Sequence, residues 1–550
     1  MFTFLVNIFR TFTRTERLVF LGSVLVFAVT FGLLSTLIFQ SATVETPAQS
    51  PIYTEGIVGQ PIAINPILSE GNDADRDLTH LLFSDLMSLS ASHKTDADNK
   101  TWNIILKDNL RWSDGKPLTT DDIIFTIESL QNSESRSPLS LSWQGVIANR
   151  ISEREIEFTL RTPYVFFLDN LREFLPIPKH IWGQVPVANF RLSQFNLEPV
   201  GNGPYKYSSL EKRDDGFITA YHLTTNPYFT QDKPFINEFT VRFYQNHSEL
   251  IDAFNTKQID GFGGINPQSI ADIKLGNTLL EKTMPRYYAI FFNKNIAGLN
   301  DPNVISAMQM AVDKQAIVDS VLAGKAFVVN EPVLPITEGY DKDSDPGNEF
   351  DPEKANALLE KGGWKLNDFG IREKSGKQPV SLEFSLVVPQ VQSLIDIANI
   401  LKQDMKNIGI NMNLTILNPN EISTEVIKTR NYQMILFGNI LKMNPDLFSF
   451  WHSSEKFYPG LNLSLYENKK VDALLESIRK NPDAEQRAKS LSDMQRLIAA
   501  DMPALFLYSP TYLYVAPSHF GGFDAKTISV PSDRFVNVNQ WYLKTTRVFK

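Results

Sequence analysis

Polar and apolar residues alternate at period two in REIEFTL (residues 154–160) and in VSLEFSLVV (380–388), and both stretches predict half-buried strands. Elsewhere the period lengthens to that of a helix, over residues 307–322, 352–361, 391–408 and 470–500. In LIDIANILKQDMKNIGI, Leu394, Ile397, Ile400, Leu401, Met405 and Ile408 fall on one stripe, which stops at Gly409. A glycine just past the last turn closes a helix. The strand pattern INMNLTIL (410–417) follows at once. Strands alternating with helices predict an α/β fold of sheets covered by helices.

One segment obeys neither period. Residues 18–39, LVFLGSVLVFAVTFGLLSTLIF, are uncharged, and no polar residue larger than Thr interrupts them. At about 1.5 Å per residue they can cross a hydrocarbon core of ~30 Å. Arg10, Arg14 and Arg17 precede the run, and no Lys or Arg follows until Arg76. That asymmetry puts residues 1–17 in the cytoplasm and everything after the helix outside. A cleaved signal peptide is the competing reading, but it calls for an apolar run of about 7–15 residues and a small-x-small junction. Here the run is longer, and Gln40 stands where a small residue belongs. We read an uncleaved anchor at 18–39, followed by a polar, proline-bearing tether at 40–50. A single-pass membrane protein with an extracytoplasmic body follows.

Composition narrows the function. Of 550 residues, 43% are hydrophobic and 21% charged, which allows at least two cores. A net charge of −9 and the lack of a basic stripe exclude a nucleic-acid binder. With no cysteine, there is no disulfide, thiolate nucleophile or thiolate metal site. His-Glu-x-x-His, Gly-x-Ser-x-Gly and the phosphate-loop pattern are all missing, and the seven histidines show no metal-ligand spacing. We expect no enzyme, cofactor or metal.

The stretch RWSDGKPLTTDDIIFTIESL (111–130) looks acidic enough for a metal loop, but it lacks alternating ligands and a closing Glu. Ser113-Asp114-Gly115 is turn chemistry, and Thr119 with Asp122 three residues on starts a helix. The stretch also resembles the signature of the extracellular solute-binding proteins of family 5, the peptide-binding components of ABC importers. LPIPKHIW (175–182), PVGNGPYKY (199–207), TTNPYF (224–229), LIDAFNTKQIDGF (250–262), NDPNVISAMQMAVDKQAIVDSVLAGKA (300–326), FDPEKANALLEKGGW (350–364) and residues 471–508 resemble further family motifs, in order, over nearly everything after residue 50.

The resemblance implies a two-lobed periplasmic-binding-protein clamshell of type II-like architecture, with an extra subdomain in lobe I. Lobe I would comprise 51–288 and a return segment, 515–550. Lobe II would comprise 289–514, with crossover strands near 286–293 and 507–515. It implies a monomer that captures a peptide or other small molecule between its lobes and delivers it to ABC permease subunits. A sensor or scaffold of the same fold with a non-peptide ligand is the alternative; an enzyme borrowing the fold is a remoter one.

The pocket segment departs from the family pattern. In peptide-binding relatives an Asp here pairs with the peptide ammonium. Anchoring LFGNILKMNPDLFSFW (436–451) on Asn444-Pro445 puts Leu441 at that position, Lys442 beside it, and Gly438 where a Trp is usual. Lys442 is then either merely exposed or set to meet a carboxylate or phosphate, and Asp446 would substitute if the register slips. Phe437, Trp451, Tyr287 and Tyr288 are candidate pocket walls, Asn439 a main-chain partner, and Glu55 and Asn65 polar contacts from lobe I. A second departure is Ile305, where the family often has Arg.

Overall fold

A computed structural model describes residues 11–550, apart from 346, 348, 377, 442 and 443. The first helix whose bounds are described is Arg14–Ala42, started by a Thr13/Glu16 capping box and with none of its side chains buried. Its apolar window has mean hydropathy 2.4. The segment read as a tether is not free: the helix runs three residues past Phe39 and passes directly into strand β1 (Thr43–Ala48).

Among the described residues twenty further strands follow, from β2 (Ser50–Val58) onward. β3 (Ser90–Thr95), β4 (Thr101–Leu106), β5 (Ile147–Arg150) and β6 (Glu155–Thr159) form a separate four-stranded sheet in the order β3-β4-β6-β5. This is the extra subdomain. β7 (Tyr205–Lys212), β8 (Ile218–Thr225), β9 (Ile236–Tyr244), β10 (Gly261–Gly263) and β11 (Asn277–Thr283) belong to the main sheet. So do β12 (Arg286–Phe292) and β13 (Ala326–Val328). β14 (Lys365–Leu366), β15 (Arg372–Lys374) and β16 (Val380–Ser381) make a small ribbon. β17 (Glu383–Pro389), β18 (Asn411–Leu417), β19 (Met434–Ile440) and β20 (Ala504–Pro517) complete the main sheet, and β21 (Lys544–Phe549) ends the chain.

β21 pairs antiparallel with β1 along its whole length. Arg547 bonds Glu45 at 2.9 Å, the Phe549 ring meets Phe39 edge-on at 6.2 Å, and the Lys550 amide donates to the Ala42 carbonyl. A polar, proline-bearing stretch can take this place because a two-stranded edge ribbon asks little of side-chain packing.

The main sheet runs β18-β17-β19-β12-β20-β10-β2-β9-β8-β7. Fourteen-residue β20 links its halves. Its first residues pair with β12, and its last pair with β10 and β11. Apolar side chains from Tyr53 to Met284 and from Tyr512 to Trp541 pack on one side of this crossing, and those from Tyr287 to Tyr508 on the other. The molecule is thus two-lobed, with β12 and β20 at the join.

Many motifs of the resemblance meet inside lobe I. The helix Thr120–Gln131 begins on the expected Thr119/Asp122 capping box. Asp122 also accepts from the Lys179 amide of the PKH motif, and His180 Nε2 lies 2.8 Å from Asp114 Oδ2 of the turn. The Ser113 amide donates to Gly201 O, and Asn226 donates to Gly203 O. These motifs are joints of the fold.

Two expected helices are each broken in two. Residues 307–322 divide into Pro302–Met310 and Lys314–Val321, because Asp313 caps a new helix by accepting from the Ala316 amide. Residues 470–500 divide into Lys469–Lys480 and Ala484–Asp501 around Asn481-Pro482-Asp483, where proline cannot continue the first helix and Asp483 caps the second. The helix Gln392–Asn407 matches its stripe and supplies the crossover between parallel β17 and β18. Ile305 is buried in the lobe II core, so its site is apolar here.

On the crossover helix, Asp404 has one carboxylate oxygen buried with no partner among the described residues. Burial, with a smaller contribution from Asp313, pushes this carboxyl up to about 6. The folded state therefore holds the Asp404 proton more tightly than the unfolded chain does. The associated stability is complete in acid and lost as pH rises through about 6. Asp404→Asn is expected to raise Tm by roughly 1–3 °C at about pH 7.5 and by clearly less at about pH 4.5, checked by calorimetry at both.

Candidate functional site

Between the lobes lies a cavity of about 650 Å³. One wall is residues 141–146 and 160–170 of the extra subdomain; the other is Ile440, residues 446–450 and the helix Lys469–Lys480. A second cavity of about 420 Å³ lies among Asn99, Phe166, Asp169, Asn444 and Arg487.

A bridge between the lobes is shared by the two cavities. The Tyr164 hydroxyl of lobe I donates to Asp446 Oδ2 of lobe II at 2.9 Å. Arg479 holds both oxygens of the same carboxylate, at 2.9 and 3.0 Å. The Arg479 guanidinium also lies 4.0 Å over the Phe448 ring, and its carbonyl accepts from the Val165 amide across the gap. Asn444 Nδ2 donates to Asp169 Oδ2 at 2.8 Å. Phe166 leaves lobe I altogether and is buried in a lobe II cluster with Tyr287, Trp451 and Phe506. Burial and the neighbouring Asp446 charge hold the Tyr164 phenol well above its ordinary range, so it stays a donor at every physiological pH.

Of the sequence-predicted site residues, Asn444 stands at a cavity wall. Leu441 and Trp451 are buried in the lobe II cluster, and Phe437 packs against it. Tyr287 is fully buried, its hydroxyl accepting from Asn439 Nδ2 at 2.8 Å. Tyr288 stacks on Tyr508 at 5.1 Å and covers Gly438, where a Cβ would come within 2.9 Å of its ring. That contact accounts for a glycine at a position where the family has Trp. Asn65 shapes its own turn, accepting from the Ile67 amide. Lys442 lies outside the described residues.

Glu55 is a correction. It is wholly buried inside lobe I, where Arg534 donates to it at 2.9 Å and Tyr514 at 2.6 Å. It is therefore a core ion, away from the cavity walls. Tyr164, Arg479 and Arg161 went unnoticed in the sequence. RTPYVFF (161–167) reads there as a run of core aromatics, and Arg479 as one more charge on an exposed helix face.

Comparison with known proteins fits this geometry. The family model for bacterial extracellular solute-binding proteins, family 5 (middle), matches residues 87–458. The oligopeptide-binding protein AppA of Bacillus subtilis is 26% identical over 515 residues, covering 90% of this chain and 92% of that one. The structure of that AppA in complex with a nonapeptide aligns with TM-score 0.73 and 25% identity, over 91% of this chain and all of that one. NikZ of Campylobacter jejuni in complex with Ni(L-His) aligns with TM-score 0.72 and 26% identity, over 89% and 99%.

Proposed function

Because the chain belongs to the bacterial extracellular solute-binding proteins of family 5, we propose that it captures peptides outside the cytoplasmic membrane and hands them to the permease of an ABC importer. The observation that carries this reading is the cavity of about 650 Å³ walled by both lobes, within the usual range of about 300–1,000 Å³ for ligand sites. A ligand there would touch both walls, so binding and lobe closure would be one event. The likeness to AppA over nine-tenths of each chain supports peptides as the ligand class.

The helix Arg14–Ala42 would stay in place as a membrane anchor, keeping the binding lobes near the permease and raising their effective concentration there. The reading assigns no chemistry to the ligand, which leaves as it arrived, and the protein acts as a monomer.

The test is mass spectrometry of the full chain purified in detergent. Intact peptides released on denaturation, from a protein whose mass includes residues 1–40, are the expected result. Metal chelates or sugars in place of peptides would overturn the ligand class. A mass that begins after residue 40 would overturn the anchor.

A further inference from the structure

We infer that Arg161 seats a carboxylate of the bound peptide, and that the ligand is oriented by its acidic end in place of its α-ammonium. This rests on the peptide reading above. Among the described residues, the charged side chains on the cavity walls are Arg161, Asp446, Glu476, Arg479 and Lys480. Both acids are already engaged. Asp446 holds Arg479 and the Tyr164 hydroxyl, and Glu476 accepts from Lys480 at 2.9 Å. An incoming ammonium would have to displace a cation from either one. Arg161 alone of these side chains has no hydrogen-bond or ion-pair partner among the described residues. Among the described residues the wall is therefore left with one uncommitted positive charge, on the face opposite lobe II.

Arg161 is exposed, and its side chain lies over the Gly145 backbone. Gly145 has φ +77°, and a Cβ there would stand 2.4 Å from Arg161 Nε and 2.9 Å from Cζ. The guanidinium thus lies directly against the Gly145 backbone, in space that any other residue would fill. A planar group held on one side by backbone keeps its remaining N–H groups for a ligand, and the guanidinium fork matches a carboxylate with two parallel bonds. Closure of the lobes removes water from the cavity and strengthens that pairing.

The experiment uses the full chain in detergent and a mixed-sequence hexapeptide pool in three forms: unmodified, C-terminally amidated and N-terminally acetylated. Affinities are measured by titration calorimetry. Amidation is expected to weaken binding about tenfold or more, and acetylation to change it by less than about twofold. In Arg161→Ala the free and amidated pools should bind alike, while Arg161→Lys should keep part of the preference. Gly145→Ala, which moves the guanidinium without removing it, should also reduce the preference.

If amidation has an effect and Arg161→Ala leaves it intact, the carboxylate is seated elsewhere and the inference fails. If acetylation abolishes binding and amidation does not, the ligand is oriented by its ammonium. In that case the inference fails while the peptide reading stands. If no form binds, the peptide reading fails and the inference with it. A preference for acidic side chains that survives amidation and disappears in Arg161→Ala supports the site, with a side-chain carboxylate as its occupant.

Discussion

Replacing Arg534 by methionine is expected to cost about 3–5 kcal/mol of folding stability. Arg534 is buried between two carboxylates. It donates to Glu55 at 2.9 Å and to Asp77 at 2.9 and 2.6 Å. Burial raises both acids above the usual carboxylate range, and the Arg534 charge opposes that rise. Methionine would leave two buried acids raised by desolvation and by each other's charge, with the Tyr514 hydroxyl still bonded to Glu55 but no cation between them. They would hold their protons to higher pH, so the penalty should be greatest at and above neutrality. It should shrink as pH falls and both carboxyls protonate. Urea denaturation of the full chain at about pH 5 and about pH 8 reads this directly. Glu55→Gln with Asp77→Asn in the Arg534→Met background should recover most of the loss, since replacing a whole buried ion cluster by neutral groups is often near neutral. An equal penalty at both pH values would show that Arg534 acts through packing alone.

Phe166→Ala is expected to weaken ligand binding by about 10- to 100-fold while leaving the separate lobes folded. The side chain is anchored in lobe I and buried in lobe II. Its burial is gained on closure and lost on opening, so its removal shifts that equilibrium toward the open form. Ligand must then supply the difference, and its apparent affinity falls by the lost population of the closed state. Tyr164→Phe, which removes the hydroxyl bonded to Asp446, should act in the same direction by a smaller factor. Small-angle scattering without ligand should show a larger radius of gyration for Phe166→Ala than for the wild type. Unchanged affinity and unchanged scattering would mean that the peg is ornamental and closure is held elsewhere.

The depth to which the sequence could be read follows from how far apart the partners lie. Elements whose determinants are local were legible. The Thr119/Asp122 capping box, the stripe of the crossover helix and the period-two strands β6 and β17 all stand where their patterns put them. The family and its two lobes were legible because ordered motifs carry them. The motifs that meet inside lobe I are joints of its fold, as His180 with Asp114 shows, and they say little about the cavity. The site itself depends on pairs that no local pattern encodes. Tyr164 and Asp446 are 282 residues apart, and Glu55 and Arg534 are 479 apart. A lone acidic residue in a first strand reads equally well as a ligand contact or as half of a buried pair. Gly438 looked like an eroded pocket residue until Tyr288, on the neighbouring strand, was seen lying over it.

The pairing of β1 with β21 changes what the anchor can do. A loose string of residues would let the lobes wander through a hemisphere above the bilayer. If the helix is the proposed anchor, a ribbon six residues long would hold them at a height of roughly 20 Å. With the apolar helix in a bilayer, both ends of the body converge on one pivot. On the proposed function, encounter with a permease would then become a search in a plane, by a molecule that arrives the same way up.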